Sequence, residues 1–219
     1  MNKILIIVPA YNEEESLPGV ILDLRGHVPQ ADILVVDDGS RDRTATVARQ
    51  SGVKLVSLPF NLGIGGAMQT GFQYARAKGY DAAIQFDGDG QHLAAEIEIL
   101  LDSLQKGGAD IVIGSRFLGV GDYQMERVRS AGRAVFQAIL AGFGLRVTDP
   151  TSGFRLANRR TIELFAADYP HDYPEVEAIL MMHRHQLTTA EVPVTMHLRE
   201  GGASSITWPA RQSLVSISG

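Results

Sequence analysis

The sequence contains no cysteine, which excludes a disulfide framework, a thiolate metal site and a cysteine nucleophile. Any metal must be held by oxygen or imidazole ligands. Long apolar runs are also lacking. The first, residues 4–8, stops at Pro9 and is too short for a signal-peptide core. The richest later stretch, residues 134–145, is interrupted by Gln137 and two glycines, well short of the roughly 18 to 20 apolar residues of a spanning helix. The chain is therefore expected in the cytoplasm, without a membrane crossing of its own. A formal net charge of −5 argues against general affinity for nucleic acid.

What is present is an ordinary globular composition: 219 residues, 45% hydrophobic and 21% charged, enough to bury a sizeable core. Residues 4–8 and 33–36 are short β-branched runs stopped by turn residues, as buried parallel strands are. Leu17, Val20, Ile21 and Leu24 recur between them at helical spacing after a candidate cap, Ser16. The alternation continues with helices at 43–51, 65–79 and about 93–104, and strands at 54–58, 82–86 and 110–114. This rhythm predicts an α/β fold with a mostly parallel sheet flanked by helices on both faces. Beyond Ser115 it loosens: helices are expected at 128–143, 159–165 and 175–185, a dense turn at 149–153, and a strand around 190–198.

Polar residues gather where strands end: Tyr11-Asn12-Glu13, Asp37-Asp38-Gly39-Ser40 and Asp87-Gly88-Asp89-Gly90-Gln91-His92. In an open parallel sheet those ends line the ligand crevice, so the three clusters should meet. Asp87 and Asp89 can aim two carboxylates at a hard divalent cation, and Gln91 can add a carbonyl oxygen. Such a cation would neutralise a diphosphate. Gly63-Ile64-Gly65-Gly66 lacks the last glycine of a dinucleotide fingerprint and the Lys-Ser or Lys-Thr of a P-loop. Its glycines are read as easing close packing or approach to a ligand.

Charge is uneven. Residues 116–160 hold eight arginines against Asp122, Glu126 and Asp149, which favours a local anionic partner. Tyr11 could stack on a base and Asp38 could accept a hydrogen bond from a base or sugar; turn packing and helix capping are the plainer roles. His183 and His185 are read as solvated, because a spacing of two sets them on different helix faces.

In order, residues 8–14 (Val-Pro-Ala-Tyr-Asn-Glu-Glu), 35–40 (Val-Val-Asp-Asp-Gly-Ser), Asn61-Leu62-Gly63, residues 87–92, Gly114-Ser115-Arg116 and Thr151-Ser152-Gly153-Phe154-Arg155 resemble the family 2 glycosyltransferases with the GT-A fold. The likeness is greatest to the dolichol-phosphate mannose synthase branch and the bacterial enzymes that load a sugar onto polyprenyl phosphate. It implies a single domain over 1–210, with a nucleotide-sugar half at 1–115, an acceptor half at 116–210 and a tail at 211–219. Many relatives continue into membrane helices; here a truncated sequence, a surface patch or a small membrane partner subunit is expected instead, with peripheral contact at the cytoplasmic face.

The resemblance further implies that Pro9, Tyr11, Glu13, Val36 and Asp38 hold the nucleotide of a UDP-, GDP- or dTDP-linked sugar. Asp87, Asp89 and Gln91 would hold Mg2+ or Mn2+ beside Gly88, and Arg116 and Arg199 would contact phosphates. Arg129 and Arg133 fall where acceptor-phosphate residues occur. Asp89, Arg116 and Asp149 are the catalytic candidates in an inverting transfer to polyprenyl phosphate. A phosphate acceptor is already anionic and needs no strong base, whereas a saccharide hydroxyl would need one, for which Asp149 and Glu175 are the candidates. An aspartate-dependent phosphohydrolase is a distant alternative, because its usual downstream lysine is missing after Lys106.

Overall fold

The computed structural model describes residues 3–118 and 127–196, excluding the side chains of residues 127–131 and 133. Arg199 and the 211–219 tail therefore lie outside the described residues, as do the side chains of Arg129 and Arg133.

The order along the chain is β1 (Ile4–Ala10), α1 (Leu17–His27), β2 (Asp32–Asp37), α2 (Thr44–Gln50), β3 (Lys54–Ser57), α3 (Gly63–Ala77), β4 (Ala82–Gln85), α4 (Ile97–Gly107), β5 (Ile111–Ser115), α5 (Arg127–Gly142), β6 (Arg155–Asn158), α6 (Arg159–Ala167), α7 (Pro174–Arg184) and β7 (Thr189–Pro193). The strands form one seven-stranded sheet in the order β3-β2-β1-β4-β6-β5-β7. It is parallel except at β6, which runs antiparallel to both β4 and β5. The expected α/β class and mostly parallel sheet are both present.

Every residue of β1 is buried, because helices cover both faces. Ile4, Ile6 and Val8 join Leu17, Ile21 and Leu24 of α1 and Ile97 and Leu100 of α4 in one core. Leu5 and Ile7 join Met68 and Phe72 of α3 and Phe165 of α6 in the other. Alternate side chains point to opposite faces of a strand, so one apolar run feeds two cores.

One element goes unforeseen and one expectation is corrected. Residues 155–158, left without an element between the expected turn and helix, form β6; the four residues include no β-branched side chain and show no period. The segment becomes a strand because β4 and β5 each offer it a backbone edge. The last strand, expected over 190–198, ends at Pro193, after which Met196 makes an isolated bridge to His92.

Two glycines of α3, Gly65 and Gly71, serve close packing. A Cβ on Gly71 would lie 2.4 Å from Ile7 Cγ2, and one on Gly65 would lie 2.4 Å from the Pro170 carbonyl oxygen. Backbone cannot rotate away as a side chain can. Gly65→Ala should therefore lower stability by about 1–3 kcal/mol, seen as a lower urea midpoint; an unchanged midpoint would contradict this packing.

Candidate active site

Strand order reverses about β1, whose neighbours are β2 on one side and β4 on the other. In doubly wound sheets this reversal opens a crevice at the carboxyl ends of the strands. The polar clusters meet there through direct hydrogen bonds. Asn12 N donates to Ser40 Oγ at 3.0 Å, Arg41 N to Asn12 Oδ1 at 2.8 Å, and Glu13 N to Thr44 Oγ1 at 2.8 Å. Ser16, expected to cap α1, makes no cap bond. Its hydroxyl lies 2.7 Å from Glu13 Oε2 and 2.8 Å from the Gly88 carbonyl oxygen, joining the first cluster to the third.

Asp38 is 4% exposed, and its Oδ1 accepts the Leu62 N–H at 2.7 Å. Burial pushes its carboxyl above the usual carboxylate range, partly offset by the backbone N–H groups of Leu62 and Gly63. Here the plainer reading, an acceptor for the start of α3, is what the geometry displays. Gly39 allows this approach: its φ is +70°, and a Cβ would lie 2.7 Å from the Phe60 carbonyl carbon. Tyr11 is 41% exposed at the crevice rim. Pro9 and Val36 are buried within paired strands, and the Val36 side chain belongs to the core beneath α3. With its side chain turned to the core, any hold on a nucleotide at this position would come from the Val36 backbone.

Asp87 and Asp89 follow β4 at the reversal point. Gly88 between them is buried, with room for a Cβ only 3.1 Å from the Pro9 carbonyl oxygen. Asp87 lies against Gly153, where a Cβ would stand 3.0 Å from Oδ2. His92 holds Asp87 from below: its Nδ1 accepts the Asp87 N–H at 3.2 Å, and its Nε2 is 3.5 Å from Asp87 Oδ2. The ring stacks on Phe154 at 4.9 Å and meets Phe86 edge-on at 5.2 Å. Burial depresses its pKa to about 4, against the pull of Asp89 and Asp149 and with the push of Arg116. The imidazole is thus neutral near neutral pH, and the accepting Nδ1 places its proton on Nε2.

Arg116, just beyond β5, makes a two-pronged ion pair with Asp149: Nε to Oδ2 at 2.7 Å and Nη2 to Oδ1 at 2.8 Å. The Arg116 N–H also reaches Oδ2, at 3.2 Å. Asp149 has no exposed surface. With both oxygens engaged and no exposed surface it is placed to orient Arg116, which counts against the expected role as the acceptor's base. Glu191 of β7 secures the loop beneath, accepting the Asp149 N–H at 3.0 Å, the Thr148 N–H at 2.8 Å and the Thr148 hydroxyl at 2.9 Å. Sequence reasoning missed Glu191, and nothing in its neighbourhood along the chain marks it out.

Arg155 on β6 is 4% exposed and donates to the carbonyls of Ser152 and Pro150 at 2.8 and 3.0 Å. Its Nη1 has no hydrogen-bond partner among the described residues. Glu175, at the start of α7, has its carboxyl raised by burial; Arg155 opposes the shift and Asp87 adds to it. Glu175 thus lies in the field of both Arg155 and Asp87. His183 and His185 are exposed, as expected.

No cluster of three His, Cys, Asp or Glu side chains suited to a metal occurs among the described residues. Two carboxylates flanking a glycine suit Mg2+ or Mn2+ better than a closed cage would, since such ions keep positions for phosphate oxygens and water. Gln91, whose N–H donates to Asp89 Oδ1 at 3.1 Å, stands beside them. The donor set fits a divalent ion carried with a diphosphate.

Fold and site together define a glycosyltransferase of the GT-A fold. The chain belongs to glycosyl transferase family 2, whose family model matches residues 5–165. It is similar to an undecaprenyl-phosphate mannosyltransferase of Micrococcus luteus, 33% identical over 94% of this chain and 88% of that protein. A polyprenol monophosphomannose synthase of Mycolicibacterium smegmatis is 31% identical over 94% and 82%. Glucosyl-3-phosphoglycerate synthase of Mycobacterium tuberculosis shares the fold, with a TM-score of 0.73 and 24% identity over 92% of this chain and 73% of that one. Structures of that synthase contain Mn2+ or Mg2+ with UDP.

Asp149→Asn keeps the shape of the buried pair and removes its charge. Transfer activity should fall about tenfold or more in kcat/KM, and an unchanged value would remove Asp149 from the site's machinery. His92 generates a pH prediction. Its folded pKa lies below the ordinary 6.5, so between pH 6.5 and about 4 the unfolded chain binds a proton that the folded chain does not. Stability should fall as pH drops through that window, and His92→Asn should flatten the fall in denaturant midpoints.

Proposed function

We propose that this protein transfers a hexosyl group, with inversion, from a nucleotide diphosphate sugar to a polyprenyl phosphate at a cytoplasmic membrane face. The observation that supports the proposal is that His92, which contacts Asp87 through both ring nitrogens, also lies in the field of Asp89 and of the Arg116–Asp149 ion pair. One end of the sheet thereby offers carboxylates for a cation and a fixed guanidinium for phosphate. The mannose-phosphate relatives support the acceptor class.

In this reading Asp87, Asp89 and Gln91 hold a divalent ion, which neutralises the departing nucleotide diphosphate. Tyr11, Glu13 and Asp38 surround the nucleotide, Asp38 through the loop it anchors. Arg116, held by Asp149, presents a pre-oriented fork to phosphate oxygens, so little reorganisation accompanies the reaction. Arg199, Arg129 and Arg133 supply further positive charge for donor and acceptor phosphates. The acceptor oxygen, already anionic, attacks the anomeric carbon from the face opposite the leaving group.

A saccharide hydroxyl acceptor is the second reading, favoured by Glu175, whose raised carboxyl lies in the field of Asp87. Incubation with radiolabelled UDP-, GDP- and dTDP-sugars and undecaprenyl phosphate should give an organic-soluble product with one donor class. No such product with any donor refutes the lipid acceptor, and water-soluble glycoside lost in Glu175→Gln establishes the second reading. Asp89→Ala should abolish transfer and manganese-dependent nucleotide binding in a thermal-shift assay while the unliganded midpoint stays put. Full activity in that variant would refute the metal assignment.

A further inference from the structure

The His92 ring sits in an aromatic box. It is 5% exposed, and the two phenyl rings around it, Phe86 and Phe154, have no exposed surface. It stacks on Phe154 at 4.9 Å and meets Phe86 edge-on at 5.2 Å, and those two rings meet each other at 5.7 Å. Burying an imidazole there costs more than burying a third phenyl ring, because its nitrogens must find partners. Both nitrogens turn to one residue. Nδ1 accepts the Asp87 N–H at 3.2 Å, and Nε2, which then carries the proton, lies 3.5 Å from Asp87 Oδ2. Packing alone does not call for a ring with that chemistry.

A second contact reaches the same carboxylate. A Cβ on Gly153 would stand 3.0 Å from Asp87 Oδ2 and 3.2 Å from Oδ1, so the carboxylate lies directly against the Gly153 backbone. That backbone is fixed on both sides. Ser152 Oγ donates to the Gly114 carbonyl at 2.6 Å and accepts the Phe154 N–H at 3.2 Å, while Arg155 Nε donates to the Ser152 carbonyl at 2.8 Å. The same turn begins at Asp149, the partner of Arg116.

We propose that His92 and Gly153 are positioning residues that seat the Asp87 carboxylate for a divalent cation. The inference rests on the reading of Asp87 as a metal ligand. Groups packed behind a ligand restrict its rotation before the cation arrives, and so reduce the ordering that binding requires. His92 fixes the main chain of Asp87 and faces its carboxylate, and Gly153 lets that carboxylate settle where any side chain would press on it. Phe154 in turn carries the His92 ring. Residues 149–154 therefore form one frame that aims Arg116 at one end and sets the cation's ligand at the other.

The test is titration of the full chain with Mn2+ in the presence of UDP, GDP or dTDP, read from the electron paramagnetic resonance signal of unbound Mn2+. His92→Phe keeps the ring packing and removes both nitrogens, and should weaken Mn2+ binding about tenfold or more. His92→Gln loses the ring but returns an amide nitrogen toward the carboxylate, and should bind Mn2+ more tightly than His92→Phe. A role in packing alone gives the reverse order and overturns the proposal. Gly153→Ala should also weaken binding, because the added methyl presses on side-chain ends and not on backbone, while its unliganded thermal midpoint stays near that of the wild type. Should His92→Phe fail to fold, wild-type Mn2+ affinity in Gly153→Ala overturns the proposal. Mn2+ bound equally by the wild type and all three variants removes the positioning role and leaves the metal assignment standing. No Mn2+ bound by the wild-type chain with any of the three nucleotides overturns both.

Discussion

The burial of β1 on both faces is the constraint from which the rest follows. A strand sealed between two cores satisfies its backbone only through its neighbours, and β1 does so through β2 and β4. Polar chemistry is thereby expelled to its carboxyl end. Because strand order reverses about β1, the loops leaving β1, β2 and β4 emerge at one place. The crevice is a consequence of how the sheet is sealed.

Negative charge at that place is managed by backbone and arginine. Asp38 is stabilised by the N–H groups that begin α3, Asp87 by the His92 imidazole, and Asp149 by the fork of Arg116. A buried carboxylate without such donors would be costly. Each compensation also fixes a loop: Asp38 ties β2 to α3, Asp149 ties the turn after α5 to β5, and Glu191 ties that turn to β7. The groups that make the site electrostatically tolerable also give it a rigid shape, which suits a reaction whose barrier is lowered by fixed charges.

The helical and parallel-strand framework was legible because its apolar residues keep clear periods, and the Asp-Gly-Asp turn was legible because it directly follows a buried strand. The short strand β6 was not. Its residues carry no period, and its conformation is imposed by the two edges it joins. Ser16 and Val36 show the same limit at single positions: one hydroxyl was drawn off the helix end by Glu13 and Gly88, and one strand residue faces inward where the motif suggested a ligand.

By itself the sequence determined the α/β class, the order of the elements as far as β5, the family and the carboxylate pair at the end of β4, since each depends on residues close together along the chain. Tertiary structure alone decided what Asp149 touches. Its pairing with Arg116 spans 33 residues, and its support by Glu191 spans a further 42. Whether a carboxylate is a base or an anchor depends on its exposure and on the donors around it, and both are properties of the folded neighbourhood.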